Sequence, residues 1–274
     1  MNSVYTTSNL SDIPVSEKYV FVFCEEKNIE KLATAPNISM QIGYYDEQLP
    51  IVFVLTEPEL ESIYERVLPP NAYLVTLDKK ILNKIHASAW EYIFNYCITH
   101  EVKYAMFTEW YSILSIKTEN ETFPINMNKN PCYEWEGETP HIDFSSWLDT
   151  MCKTTDINNL SALGVDRRHS TDLLRFADTT GRLNAVLPFL PIQLIVYNFL
   201  QLKKCQCPVW LNTHTDNYLL RDTIIAMLIT SLGGEVTTTE EFTVNAPSVM
   251  YSEDDLHSIL TLTKRFPSLM RREG

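Results

Sequence analysis

Short apolar runs alternate with helical patterns over the first 117 residues. YVFVFC (19–24) is a continuous apolar run of strand length and predicts a buried strand. EEKNIEKLA (25–33) suits a short helix, and ISMQIGYY (38–45) with PIVFVLT (50–56) predicts a hairpin around Asp46-Glu47-Gln48. In ELESIYERVL (59–68) the apolar residues Leu60, Ile63, Tyr64, Val67 and Leu68 fall on one helical face, and Pro69-Pro70 stops the helix. AYLVTL (72–77) reads as a strand. KKILNKIHASAWEYIFNYCITH (79–100) predicts one long helix, with Ile81, Leu82, Ile85, Ala89, Ile93, Tyr96 and Cys97 on a broad face. Lys79, Lys80, Asn83, Lys84 and Ser88 lie mostly off that face. VKYAMFT (102–108) and YSILSIK (111–117), with Glu109-Trp110 between them, predict a tight antiparallel hairpin.

The pattern changes after residue 117. Residues 118–141 are polar and hold Pro124, Pro131, Pro140 and Gly137, which marks a loop or boundary. Beyond it the periodicity is more helical, with candidate helices at 143–152, 170–177, 191–204, 217–232 and 252–266. Strands are expected at 208–213 and, as one Thr-rich run, at 235–244. The resulting expectation is an α/β fold: a mixed sheet flanked by helices, with a helix-rich C-terminal half. Residues 1–17 read as a polar tail, 18–117 as an α/β domain, 118–141 as the boundary and 142–274 as a helix-rich α/β half. The last either packs onto 18–117 as one domain with it or forms its own small domain.

Composition narrows the function classes. Lys plus Arg is 22 and Asp plus Glu 35, so the formal charge is 22 − 35 = −13, which disfavours loose adhesion to nucleic acid or anionic lipid. No run approaches a membrane span, and the first residues lack the basic and apolar regions of a secretory signal. Of six cysteines only Cys205 and Cys207 are close, so a zinc ribbon is not expected. Reduced thiols in an intracellular protein, in cytoplasm or nucleus, follow from that usage. With seven glycines and no G-x-G-x-x-G or G-x-x-x-x-G-K-[ST], nucleotide binding of the P-loop type is not expected. No H-E-x-x-H and no G-x-S-x-G occurs. Asp166-Arg167-Arg168-His169 is a tight basic cluster, and His214 stands between a predicted strand and a predicted helix.

Two constellations compete for the same acids. In the first, the segment 72–117 reads strand–helix–strand–strand, and its first strand runs into Asp78-Lys79-Lys80, a D-x-K tripeptide. With EYIFNYC, KYAMFTEW and YSILSIK following, this layout resembles the core of the PD-(D/E)XK nuclease superfamily over about 46 residues. The resemblance implies a metal-dependent phosphodiesterase or an inactive relative of one. Asp78 would be a Mg²⁺ ligand, Lys80 the catalytic lysine, and nucleic acid the partner. Its second acid would be Glu57 or Glu59, or Asp46. Asp78 also suits the N-cap of the helix that follows it.

In the second constellation four predicted strands end in acid, at Cys24-Glu25, Thr56-Glu57, Leu77-Asp78 and Thr108-Glu109. If those strands are parallel neighbours, their carboxylates line one sheet edge and can hold a metal or sugar hydroxyls, as in a Rossmann-like transferase. A third reading is a non-enzymatic intracellular adaptor or assembly factor that binds another protein. It requires an exposed apolar patch.

Overall fold

The computed structural model describes residues 4–24, 49–69, 72–84, 88–110, 113–117, 122–124, 160–166, 192–204, 234–239 and 242–245. Its centre is the apolar run at 19–24. Strand β2 (Lys18–Phe23) is buried on both faces, as is β3 (Ile51–Leu55). Strands without a wet face belong to a sheet covered on both sides. β4 (Tyr73–Thr76) and β5 (Tyr104–Glu109) complete a parallel group in the spatial order β4-β3-β2-β5. β2 therefore starts the series at its centre. The chain steps outward through β3 to β4, then returns past both to place β5 on the far side of β2.

That reversal decides where the helices lie. Parallel crossovers are right-handed, so reversing the direction of travel moves the connecting helix to the other face. Phe21 and Phe107 are register partners, so they share a face, whereas Phe53, whose partner is Val22, faces the other way. Helix α1 (Glu61–Val67) joins β3 to β4, and its Tyr64 meets Trp110 edge-on on the Phe53 face. Helices α2 (Lys79–Lys84) and α3 (Ala89–Thr99) join β4 to β5. Trp90 and Phe94 of α3 pack on Phe107, on the opposite face. The sheet is doubly wound.

Beyond β5 the sheet continues through the second half of the chain, in the spatial order β9 (Ile192–Asn198), β8 (Leu160–Asp166) and β10 (Glu235–Thr239), and gains β1 (Tyr5–Thr7) outside β4, for eight strands in all. β9 runs antiparallel to both neighbours, while β8 and β10 are parallel to each other. A three-stranded sheet, β11-β6-β7, is formed by β6 (Ile113–Lys117), β7 (Thr122–Pro124) and β11 (Phe242–Asn245). It ties β5 to β10. Three residues separate β5 from β6 and two separate β10 from β11. The pairing Ile113↔Asn245 and Phe242↔Ile116 makes β6 run from the β5 end toward β10 and β11 run back. The two strands thus bridge three strand spacings, about 14 Å, and β11 comes close to β8.

Several expectations are corrected. The 79–100 helix is two helices, because Ser88 starts a new one. Its hydroxyl accepts from Glu91 N and the Glu91 carboxylate accepts from Ser88 N, each at 3.2 Å, a capping box. The expected 191–204 helix is β9 followed by helix α4 (Phe199–Lys204), whose start is capped by Asn198 Oδ1 accepting from Gln201 N. A continuous apolar run does not by itself distinguish a buried strand from a buried helix. Both edges of β3 are taken by parallel neighbours, β2 and β4, and the expected hairpin partner 38–45 lies outside the described residues. β5 and β6 belong to different sheets rather than to one hairpin, and 235–244 splits into β10 and β11 on two sheets.

The polar N-terminal segment adds a strand to the sheet and places Leu10 and Ile13 in the core. Strand β8 had no counterpart among the expected elements. The segments 25–33, 143–152, 170–177, 208–213, 217–232 and 252–266 lie outside the described residues. From residue 142 onward the described residues form four strands and one helix.

Two measurements check this architecture. Phe107 touches the rings of Phe21, Phe23, Trp90, Phe94, Tyr197 and Phe199. Phe107→Ala should cost about 3–5 kcal/mol in denaturant unfolding, whereas exposed Ile81→Ala should stay within about 0.5 kcal/mol of wild type. Ser88→Ala should cost about 1 kcal/mol, through the α3 start alone.

Candidate functional site

In a parallel group every strand points its carboxyl end at the same edge. Ligands bind there in doubly wound sheets, at the point where the strand order reverses. Here that point lies between β2 and β5. The residues that leave the edge are Cys24 after β2, Thr56-Glu57 after β3, Leu77-Asp78 after β4, and Glu109-Trp110 at the end of β5. All four acid-ended strands are thus parallel neighbours. Glu25 lies outside the described residues, as do Asp46, His214 and the Arg167-Arg168-His169 part of the basic cluster.

The acids are stepped along the edge. Leu55 and Thr76 are register partners, so Glu57 and Asp78, each two residues further on, stand at the same height. Lys79 Nζ joins them by an ion pair to Glu57 Oε1 at 2.9 Å. The lysine side chain is half exposed and the Glu57 side chain is largely covered, so solvent screens only part of this pair. Glu109 is set deeper. It pairs with Phe23, which pairs with Val54, three residues before Glu57. Glu109 is itself buried at 9% exposure, and Trp110 N extends the ladder by donating to Phe23 O at 2.9 Å. Because of this stepping, no three His, Cys, Asp or Glu side chains converge among the described residues.

Asp78 has a local task. Its Oδ1 accepts from Lys80 N at 2.7 Å, and its carbonyl accepts from Ile81 N and Leu82 N, so it caps α2. Lys80 is exposed, and it is Lys79 that reaches Glu57. Glu59 is exposed in the 3-10 turn Pro58–Leu60, on the solvent side of the β3–α1 connection. The strand–helix–strand–strand segment of the nuclease resemblance is present in chain order. In space β3 and β2 stand between β4 and β5, and β6 is in the other sheet. Cys97 is fully buried, and burial pushes its thiol pKa well up.

Glu109 is the acid whose burial periodicity did not show. As one of four acids it was legible, but its depth and its place beside the switch point follow from strand order. The large apolar side chains exposed among the described residues are Tyr5, Val15, Ile81 and Leu200, on four different segments.

If Asp78 acts as a cap, Asp78→Ser should hold unfolding stability within about 0.5 kcal/mol of wild type while Asp78→Ala loses about 1 kcal/mol. Equal losses in both, read by denaturant titration, would remove the capping role.

No family model and no curated protein matches the chain. Among the solved structures it is similar to is a cytidylyltransferase from Leptospira borgpetersenii serovar Hardjo-bovis (strain JB197). That protein is 8% identical, with a TM-score of 0.38 over 95% of this chain and 99% of that one.

Proposed function

We propose that the protein is a Rossmann-like transferase whose ligand lies across the carboxyl ends of β4, β3, β2 and β5. One observation carries the reading. The four strands that end in acid are adjacent and parallel, and the chain order reverses among them. A sheet edge of that kind is where small ligands collect in doubly wound folds.

The chemistry of the edge narrows the ligand class. With no glycine-built cradle in the sequence, bare phosphates lack backbone donors of that kind. Carboxylates instead accept from hydroxyls, or they complete the shell of a divalent ion that a phosphate already holds. Mg²⁺ is commonly bound in this way, through one or two carboxylates plus substrate phosphates and waters. Stepped acids that do not form a closed cluster fit such shared coordination. A nucleoside phosphate or nucleotide-linked sugar supplies both hydroxyls and phosphates. Glu109, nearly buried at the switch point, is the residue assigned to the ligand, with Glu57 and Lys79 at the outer end of the edge.

The test is calorimetry with CTP, UTP, ATP, GTP and UDP-glucose, each with MgCl₂, on wild type and Glu109→Gln, with melting curves of both. Binding of at least one probe is expected. Glu109→Gln should weaken it about tenfold or more, the scale of one charge-assisted hydrogen bond, while the melting temperature stays within a few degrees. No heat with any probe would overturn the reading. So would Mg²⁺-dependent nicking of supercoiled plasmid that disappears in Asp78→Asn, since that would place a metal-dependent phosphodiesterase at Asp78 and Lys80 instead.

A further inference from the structure

Residues 4–17 travel from the outer edge of the sheet to its middle, and their attachments are few and discrete. β1 adds three residues of parallel ladder to β4. Tyr5 N donates to Ala72 O at 2.9 Å, and Thr6 Oγ1 donates to Glu65 Oε1 of α1 at 2.8 Å. The chain then folds on itself. Asn9 Oδ1 accepts from Ser11 N, and Thr7 Oγ1 donates to Asp12 Oδ2 at 2.7 Å. Leu10 and Ile13 enter the core that also holds Val75, Leu77 and Leu82. Two residues later the chain is back in solvent, with Val15 at 89% exposure.

The second end is fixed at Glu17, whose carbonyl accepts from Lys103 N at 2.8 Å and Tyr104 N at 3.1 Å and whose carboxylate pairs with Lys103. Ahead of that anchor, residues 14–16 are held by one phenol. Tyr19 Oη donates to Pro14 O at 2.8 Å and accepts from Ser16 N at 2.9 Å. Its ring is fully buried beside Phe21. Burial pushes its pKa up, so the hydroxyl remains a neutral donor throughout the ordinary pH range. Strands β2 and β3, by contrast, are paired along both edges and buried on both faces. Ahead of Glu17 the segment is held by three ladder residues, the Thr6–Glu65 bond, an edge-on contact of Tyr5 with Tyr73, two apolar side chains and the Tyr19 hydroxyl, and it opens at lower cost than strands held along both edges and both faces.

We propose that residues 4–16 are a clip that opens as a unit while the sheet stays folded, hinged at the Glu17 anchor, and that the Tyr19 hydroxyl is its latch. Opening bares the outer edge of β4, the strand that leads into Asp78, and releases Glu65 of α1. The clip therefore sets whether the outer end of the carboxyl edge is braced. It does not depend on what ligand that edge takes.

Hydrogen exchange read by mass spectrometry on the full chain tests this. In wild type the amides of 5–13 should exchange faster than those of β2, β3 and β5. Tyr19→Phe, which keeps the ring and removes the hydroxyl, should speed 5–13 about fivefold further, the factor of one neutral hydrogen bond, with β3 and β5 unchanged. Protection of 5–13 equal to that of β3 in wild type would overturn the clip. So would acceleration of 5–13, β3 and β5 in step in the variant, or no change at 5–13. Should Tyr19→Phe not fold, Leu10→Ala makes the same comparison from the other end. Selective exchange at 5–13 then supports the clip, and uniform exchange overturns it.

Discussion

The handedness of parallel crossovers is the constraint on which this structure rests. Once β2 is placed at the centre and β3 and β4 are laid to one side, a return to the far side of β2 carries the next helix to the other face. That single reversal accounts for α1 and α3 lying on opposite faces. It also accounts for the double burial of β2 and β3 and for the reversal of strand order between β2 and β5. The acidic edge has the same origin, since parallel strands cannot scatter their carboxyl ends.

The ring packing follows from the burial this creates. Phe21, Phe107, Trp90, Phe94, Tyr197 and Phe199 form a network of edge-on, stacked and tilted contacts between α3 and the sheet. Tyr197 belongs to β9 and Phe199 begins α4, so both halves of the chain meet in this cluster. Each ring fixes the height of its strand against the helix. The stepping of Glu109 below Glu57 is thus a matter of register, set by the core beneath the edge.

The α/β class, strands β2, β3, β4 and β5, helix α1 and the acids at the strand ends were all legible in the sequence. Local signals were strong there: uninterrupted apolar runs, one clean helical face, and acids directly after the strands. Pairing was not legible, because a hairpin and a parallel crossover share the same local pattern. YVFVFC and PIVFVLT would read alike in either arrangement. The break at Ser88 carried a signal, Ser-x-x-Glu, that the stronger apolar periodicity of 79–100 obscured. At 192–198 period and length left helix and strand open, and only the neighbours β5 and β8 decide. Leu10 and Ile13, single apolar residues in a polar stretch, gave no hint that they plug the core.

The small sheet divides the carboxyl edge into two mechanical regimes. Its strands leave β5 and β10 after only two or three residues and lock to each other, like a crossbar bolted to two posts. Between those posts the large sheet cannot fan or change its twist without breaking the crossbar. On the other side, from β2 out to β1, no second sheet spans the described strands. On that side the edge is closed by a three-residue strand, β1 on β4, and yielding of the large sheet falls first to that outermost ladder.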